Sequence, residues 1–270
     1  MLRRVYQLPL ENNMKITNGK HLLAIALLTG ITGASTLFAS HSWGSYHWAR
    51  TANPFTLKTG DNVDAKWDAY LNEAIVDWNQ SSVLGLLKVP GGSNPKNCRP
   101  TSGRIEVCNS TYGSHGGLGL AQIWASGTHI TQAVSKLNDT YFNTAKYDKP
   151  EWRRLVMCQE IAHDFGLDHQ DEVFDNTNLG SCMDYTSNPL GPPSNEHPNR
   201  HDFDQLATIY AHLDNSSTIG QTTNREAAGS QIEHDQFGQR MRSTNGGRTE
   251  LYVLNQGNGQ KVFTFVIWAD

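Results

Sequence analysis

This chain carries little excess charge of either sign. Its 22 lysines and arginines against 26 aspartates and glutamates leave a formal −4, and the basic residues are scattered, so nothing argues for a nucleic-acid partner. It has four cysteines but no C-x-x-C pair, which counts against a zinc site built from thiolates alone. It also lacks a clean membrane span, because the one candidate run, LLAIALLTGITGASTLFA, is short and interrupted by Thr and Gly. No internal repeat is visible. What 270 residues of about average apolar content allow is one good core and a small appendage.

Residues 1–40 read as a secretory signal and not as part of the fold. Lys15 and Lys20 precede the apolar run, small residues lie near its end, a start at Met14 gives a signal of more ordinary shape, and cleavage is placed near Ala39. The expected location is therefore extracellular, with no stable membrane anchor after cleavage. Export makes two disulfides the natural reading of four cysteines, with three connectivities open and four buried thiols as the alternative.

The stretch HSWGSYHWARTANPFTLKTGD, from His41, reads as an extended leader or first strand. His41 and His47 lack a partner at metal spacing and are read as ordinary packed or exposed histidines. Trp67, Tyr70, Leu71, Ala74, Ile75 and Trp78 then recur at helical spacing and predict an amphipathic helix with an aromatic core face. Strand-like runs follow at 104–108, 119–124 and 128–134. A second helix is expected from Pro150, a favourable first-turn residue, with Glu151 at its positive end. A third is expected over 201–214, with Asp202 and Asp204 near its start. Residues 215–231 are polar and linker-like, and TELYVLNQGNGQKVFTFVIWAD, from Thr249, reads as a hairpin that docks on the main domain or on a partner.

The chemistry concentrates in VMCQEIAHDFGLDHQD, from Val156 to Asp171. Gln159 and His163 are one helical turn apart and share a face, Glu160 sits beside them, and Gly166 allows a turn that returns His169. The run QEIAHDFGLDH, followed by Ser181-Cys182-Met183-Asp184-Tyr185, resembles the metzincin zinc peptidases, whose signature is H-E-x-x-H-x-x-G-x-x-H and a Met-turn. Every motif position matches except the first, where Gln159 replaces histidine. A carboxamide oxygen is a harder and weaker zinc donor than imidazole.

That resemblance covers roughly residues 41–214 and implies an α/β catalytic domain closest in order to the matrixins. It would have a twisted mixed sheet, a long active-site helix, a cleft between two subdomains and a Met-turn, and residues 215–270 would form an extension. It implies Zn2+ held by Gln159, His163 and His169, with Asp171, His197 and His201 as alternative third donors. Glu160 would be the general base acting on a metal-activated water, and Met183 an apolar floor. Tyr185, matching the M-x-Y of the astacin and serralysin branches, would be a ligand or oxyanion stabiliser, or else a buried structural tyrosine.

Cys98–Cys108 and Cys158–Cys182 would be the favoured disulfides, the second tying the ligand helix to the Met-turn. The implied partner is a polypeptide substrate, added as an extended antiparallel strand to an edge strand near Gly113–Gly119. His115 and His129 raise a structural zinc of the matrixin kind, whose full ligand set is not visible. The acidic run Asp171, Glu172 and Asp175 reads as a solvated loop. No Cys-switch motif precedes the domain. The rival readings are a catalytically inactive peptide-binding module that lost zinc through Gln159, and a disulfide-stapled adhesion or structural protein.

Overall fold

The computed structural model describes residues 41–114, 117–220 and 236–269. The expected signal segment, His115 and residues 221–231 of the expected linker lie outside the described residues. In chain order the elements are strand β1 (His47–Trp48), β2 (Phe55–Asn62), helix α1 (Asp68–Trp78), β3 (Leu84–Pro90), β4 (Ile105–Ser110), β5 (Gly119–Ser126), β6 (His129–Asn138), the single turn α2 (Asp139–Phe142) and α3 (Pro150–His163). Then come α4 (Arg200–Ile209), β7 (Gln239–Thr244), β8 (Thr249–Gly257) and β9 (Gln260–Ile267). The result is a mixed α/β architecture with one many-stranded twisted sheet and few helices. Among the described residues no helix is long and apolar enough to cross a membrane.

The strands join in the order β3-β2-β4-β6-β5-β9-β8-β7, with β1 pairing separately to β6. The first four of that series run parallel, and from β6 onward every neighbour is antiparallel. β5 is buried along nearly its whole length, so both its faces are covered and its residues are mostly apolar or small, with Gln122 bonded to Thr264 of β9 as the polar exception. Ala121, Ile123 and Ala125 face the main core, where α3 packs, while Leu120 and Trp124 face a second cluster around the Cys98–Cys108 disulfide.

Helix α3 starts at Pro150 and is buried on almost every side, including its polar residues Gln159, Glu160 and His163. Trp78 of α1 donates its indole N–H to the Cys158 carbonyl at 3.2 Å, and the Trp48 indole donates to the Asp164 carbonyl at 2.8 Å. Two aromatic anchors therefore hold the end of the helix that carries the motif. Cys158–Cys182 bonds the same helix to the segment containing Met183, which is fully buried.

The C-terminal hairpin forms around Asn258-Gly259, gains a third strand in β7, and docks on the main sheet. β9 pairs with β5 from Gly119↔Ile267 to Ser126↔Gln260. In this structure the edge of β5 is thus filled by the chain's own C-terminal strand and not left open to solvent. β7 was not expected, because Gln239–Thr244 is polar, mostly exposed and has no apolar alternation to announce it. β3 likewise carries no clean period and was not expected either.

Candidate functional site

Position 166 shapes the site first. Gly166 has φ 106°, and a Cβ there would lie 2.8 Å from the Tyr46 carbonyl, so both conformation and space call for glycine. The turn brings the Leu167 carbonyl back to His163 Nδ1 at 2.8 Å and carries His169 over the end of α3. His163 Nε2 and His169 Nε2 then face each other at 3.0 Å.

The hydrogen-bond inventory decides what lies between them. A carbonyl only accepts, so His163 Nδ1 carries the proton and Nε2 is bare. His169 Nδ1 lies 3.3 Å from the Glu172 carboxylate, so it carries its proton too, and its Nε2 is also bare. Burial holds the His163 ring well below the usual imidazole range, which keeps it neutral, with the neighbouring His169 acting in the same direction. The two Nε2 atoms, 3.0 Å apart, stand where one proton or one cation can join them.

Tyr185, Gln159 and Glu160 are the remaining candidate groups. Tyr185 donates its hydroxyl to His169 Nε2 at 2.7 Å, and burial pushes its phenol far above the usual range, so it stays protonated. Gln159, one helical turn before His163, is buried, and neither its carbonyl oxygen nor its amide nitrogen is hydrogen-bonded to any described residue. Glu160 Oε2 is buried and similarly unsatisfied, and burial, with Asp164 adding to it, raises the Glu160 carboxyl well above the ordinary range. Orphaned buried polar atoms cost stability, and a chain keeps them where another group completes them. The donor set of two bare imidazoles and a neutral amide oxygen fits a borderline divalent cation such as zinc.

Gly119 of β5 lies directly over Glu160, because a Cβ there would overlap Glu160 Oε1 and Val156 Cγ1. Above the site sits β9. Its Phe265 ring stacks on His163 with centroids 4.3 Å apart and planes 9° from parallel. Alternation along β9 places Phe263, Phe265 and Ile267 in the main core and Val262 and Val266 in the second cluster. From β7, Arg242 forms a bidentate pair with Asp168 at 2.8 and 2.5 Å, and its Nε lies 3.0 Å from Glu172. Glu172, expected in a solvated loop, instead joins His169 to the C-terminal hairpin through Arg242.

The other candidate third donors are engaged elsewhere. His197 pairs with Asp77 at 2.7 Å, and His201 stacks on His41. Asp171 accepts from the Val173 backbone N–H and from the Asn176 amide. Met183 follows the site closely in structure as in sequence, its carbonyl accepting from the Gln170 N–H at 2.6 Å. The residues that sequence reasoning missed are Phe265, Arg242 and Glu172. Phe265 and Arg242 lie far along the chain, and no local period relates them to the motif.

Asp168 makes the docking of β7 pH-dependent. Burial works against its ionisation, but the bidentate Arg242 guanidinium holds its carboxyl at about 2 against an ordinary 3.8. A depressed carboxyl stabilises the fold above its unfolded value and loses that contribution as pH falls toward the folded one. The native chain is therefore expected to lose about 2 kcal/mol more than Arg242→Ala between pH 4 and pH 2. Urea unfolding at a series of pH values measures the difference, and parallel curves for the two proteins would contradict it.

No family model matches this chain, and no curated protein is significantly similar to it. Among solved structures it is similar to high choriolytic enzyme 1, a hatching-enzyme zinc-protease from the medaka fish Oryzias latipes. The identity is 13% and the TM-score 0.33, over 63% of this chain and 96% of that one. A TM-score of 0.33 is too low to carry either fold or chemistry from one protein to the other.

Proposed function

We propose that this chain is a secreted zinc-dependent endopeptidase of metzincin type, with its own C-terminal strand lying in the substrate position. The observation that carries the reading is the pair of imidazole Nε2 atoms 3.0 Å apart, in the same motif as a buried Gln159 amide and a buried Glu160 Oε2 that no described residue hydrogen-bonds. His163, His169 and Gln159 Oε1 would hold zinc, with Gln159 the weak donor. Zinc bound there supplies Lewis acidity at the scissile carbonyl and acidifies a water molecule.

Glu160 accepts the proton of the attacking water and hands it to the leaving amine, a role suited to a carboxyl whose proton affinity burial has raised. Tyr185 directs its hydroxyl at the same centre and stabilises the oxyanion as it develops. The substrate is an extended polypeptide that takes the place of β9 along β5, so backbone pairing supplies most of its affinity.

The pairing of β9 along all of β5 favours a second reading, a metzincin-like binding module that lost zinc and catalysis through Gln159. Zinc content separates the two. Protein purified without chelator is expected to hold roughly one zinc more than the His163→Ala/His169→Ala variant. Gln159→His is expected to tighten that site by about tenfold or more. Zinc that appears at this site only in Gln159→His would remove the enzyme reading and leave the binding module.

A further inference from the structure

A second group of imidazoles gathers where β1, the start of β6 and the segment after α4 meet. We infer that His47, His129 and Asp214, closed by His212, form a zinc-class metal site that clips the N-terminal strand to the segment after α4. Asp214 Oδ1 lies 3.2 Å from His47 Nε2, 3.3 Å from His129 Nε2 and 3.7 Å from His212 Nε2. His212 Nε2 is in turn 3.1 Å from His47 Nε2. Ligand atoms around a tetrahedral zinc with bonds near 2.1 Å stand about 3.4 Å apart, and these separations bracket that value.

The outer contacts are those of a ligand set. His47 Nδ1 faces the Ser45 carbonyl at 2.7 Å, which places the proton on Nδ1 and leaves Nε2 bare toward the centre. Asp214 Oδ2 is occupied by the Arg50 guanidinium at 2.9 Å and the Arg50 backbone N–H at 3.1 Å, which orients Oδ1 inward. Three imidazole nitrogens and a carboxylate oxygen thus converge on one small volume, where protons can join them only in pairs. One divalent cation serves every one of them.

The four residues come from three places in the fold. β1 and β6 align His47 opposite His129 in parallel register, and the chain beyond α4 brings His212 and Asp214 to them. Sequence spacing hides the set, since the ligands span positions 47 to 214. His129 draws its partners from β1 and the C-terminal side of α4. Holding a loop of that length closed, the metal would stabilise the native state by binding it and not the unfolded chain.

The test uses the full chain and zinc alone. Zinc per chain is measured in the native protein, in His129→Ala/His212→Ala, and in His163→Ala/His169→Ala, which empties the motif centre. The proposal expects the His163→Ala/His169→Ala protein to retain about one zinc and to lose it when His129→Ala and His212→Ala are added, with affinity falling about a hundredfold or more. It also expects zinc to raise the unfolding temperature of the His163→Ala/His169→Ala protein and to leave the fourfold variant unchanged. No zinc in the His163→Ala/His169→Ala protein, or zinc that survives all four substitutions, would overturn it. His212→Ala alone in an otherwise native chain guards against misfolding, because that side chain is 54% exposed. Zinc content and affinity unchanged by it would likewise count against the site.

Discussion

Glu160→Gln is expected to abolish peptide hydrolysis, lowering kcat/KM by about 10²–10⁴-fold while zinc content stays as it was. The substitution keeps the shape of the side chain and removes only its capacity to take up and return a proton. Its effect on stability runs in the opposite direction. Burial raises the Glu160 carboxyl, so the folded protein favours the neutral form and loses stability as pH rises above the ordinary carboxyl value. A neutral amide escapes that loss, and zinc-free Glu160→Gln is expected to unfold at a higher temperature than the native chain at pH 7. Loss of activity with a gain in stability is the mark of a residue held against its own solvation for chemistry. Hydrolysis that persists in Glu160→Gln would show that this carboxylate is not the base. A fall in zinc content would instead make it a structural support of the metal.

Loosening the C-terminal hairpin is expected to raise hydrolysis of a peptide substrate by about tenfold or more. β9 competes for β5 as a tethered strand, with an effective concentration on the order of millimolar, which micromolar substrate does not displace. The observed activity is therefore scaled by the small fraction of molecules whose hairpin is away from β5. Arg242→Ala removes charge-assisted hydrogen bonds to Asp168, worth about 1.5–3 kcal/mol, together with the ion pair to Glu172, and leaves Asp168 without its guanidinium partner. Each 1.4 kcal/mol multiplies the open fraction by about ten. Phe265→Ala withdraws the ring stacked on His163 and adds to the effect. Rates are compared at substrate concentrations below KM, where the open fraction matters most. Equal rates for the native chain, Arg242→Ala and the double variant would mean that β9 is a permanent strand of the sheet and that no substrate enters there.

How much of the site was legible follows from distance along the chain. Gln159, Glu160 and His163 are related by the helical period, and Gly166 and His169 follow within one turn of backbone. Local rules of spacing and turn chemistry therefore reach all of them. Helix α3 and its start at Pro150, the amphipathic α1, and the strands β4, β5 and β6 were readable for the same reason. The hairpin around Asn258-Gly259 was readable too, because a turn sequence between two apolar runs carries its own geometry. β7 was not, since a polar edge strand is stabilised by its neighbour and not by its own pattern.

The amino-acid sequence by itself determined the motif helix, the turn that returns His169 and the alternation that points every second residue of β9 to one face. Only the tertiary structure decided where those faces lie. It set β9 against β5, put Phe265 on His163, and brought Arg242 to Asp168 across more than seventy residues. It also gathered His47, His129, His212 and Asp214, where the sequence shows no partner at metal spacing for His47 and no full ligand set for His129. The physical reason is that spacing and turn chemistry are local properties of the backbone. Strand partners and convergent ligands depend on which distant segments share one buried surface, and no local period records that choice.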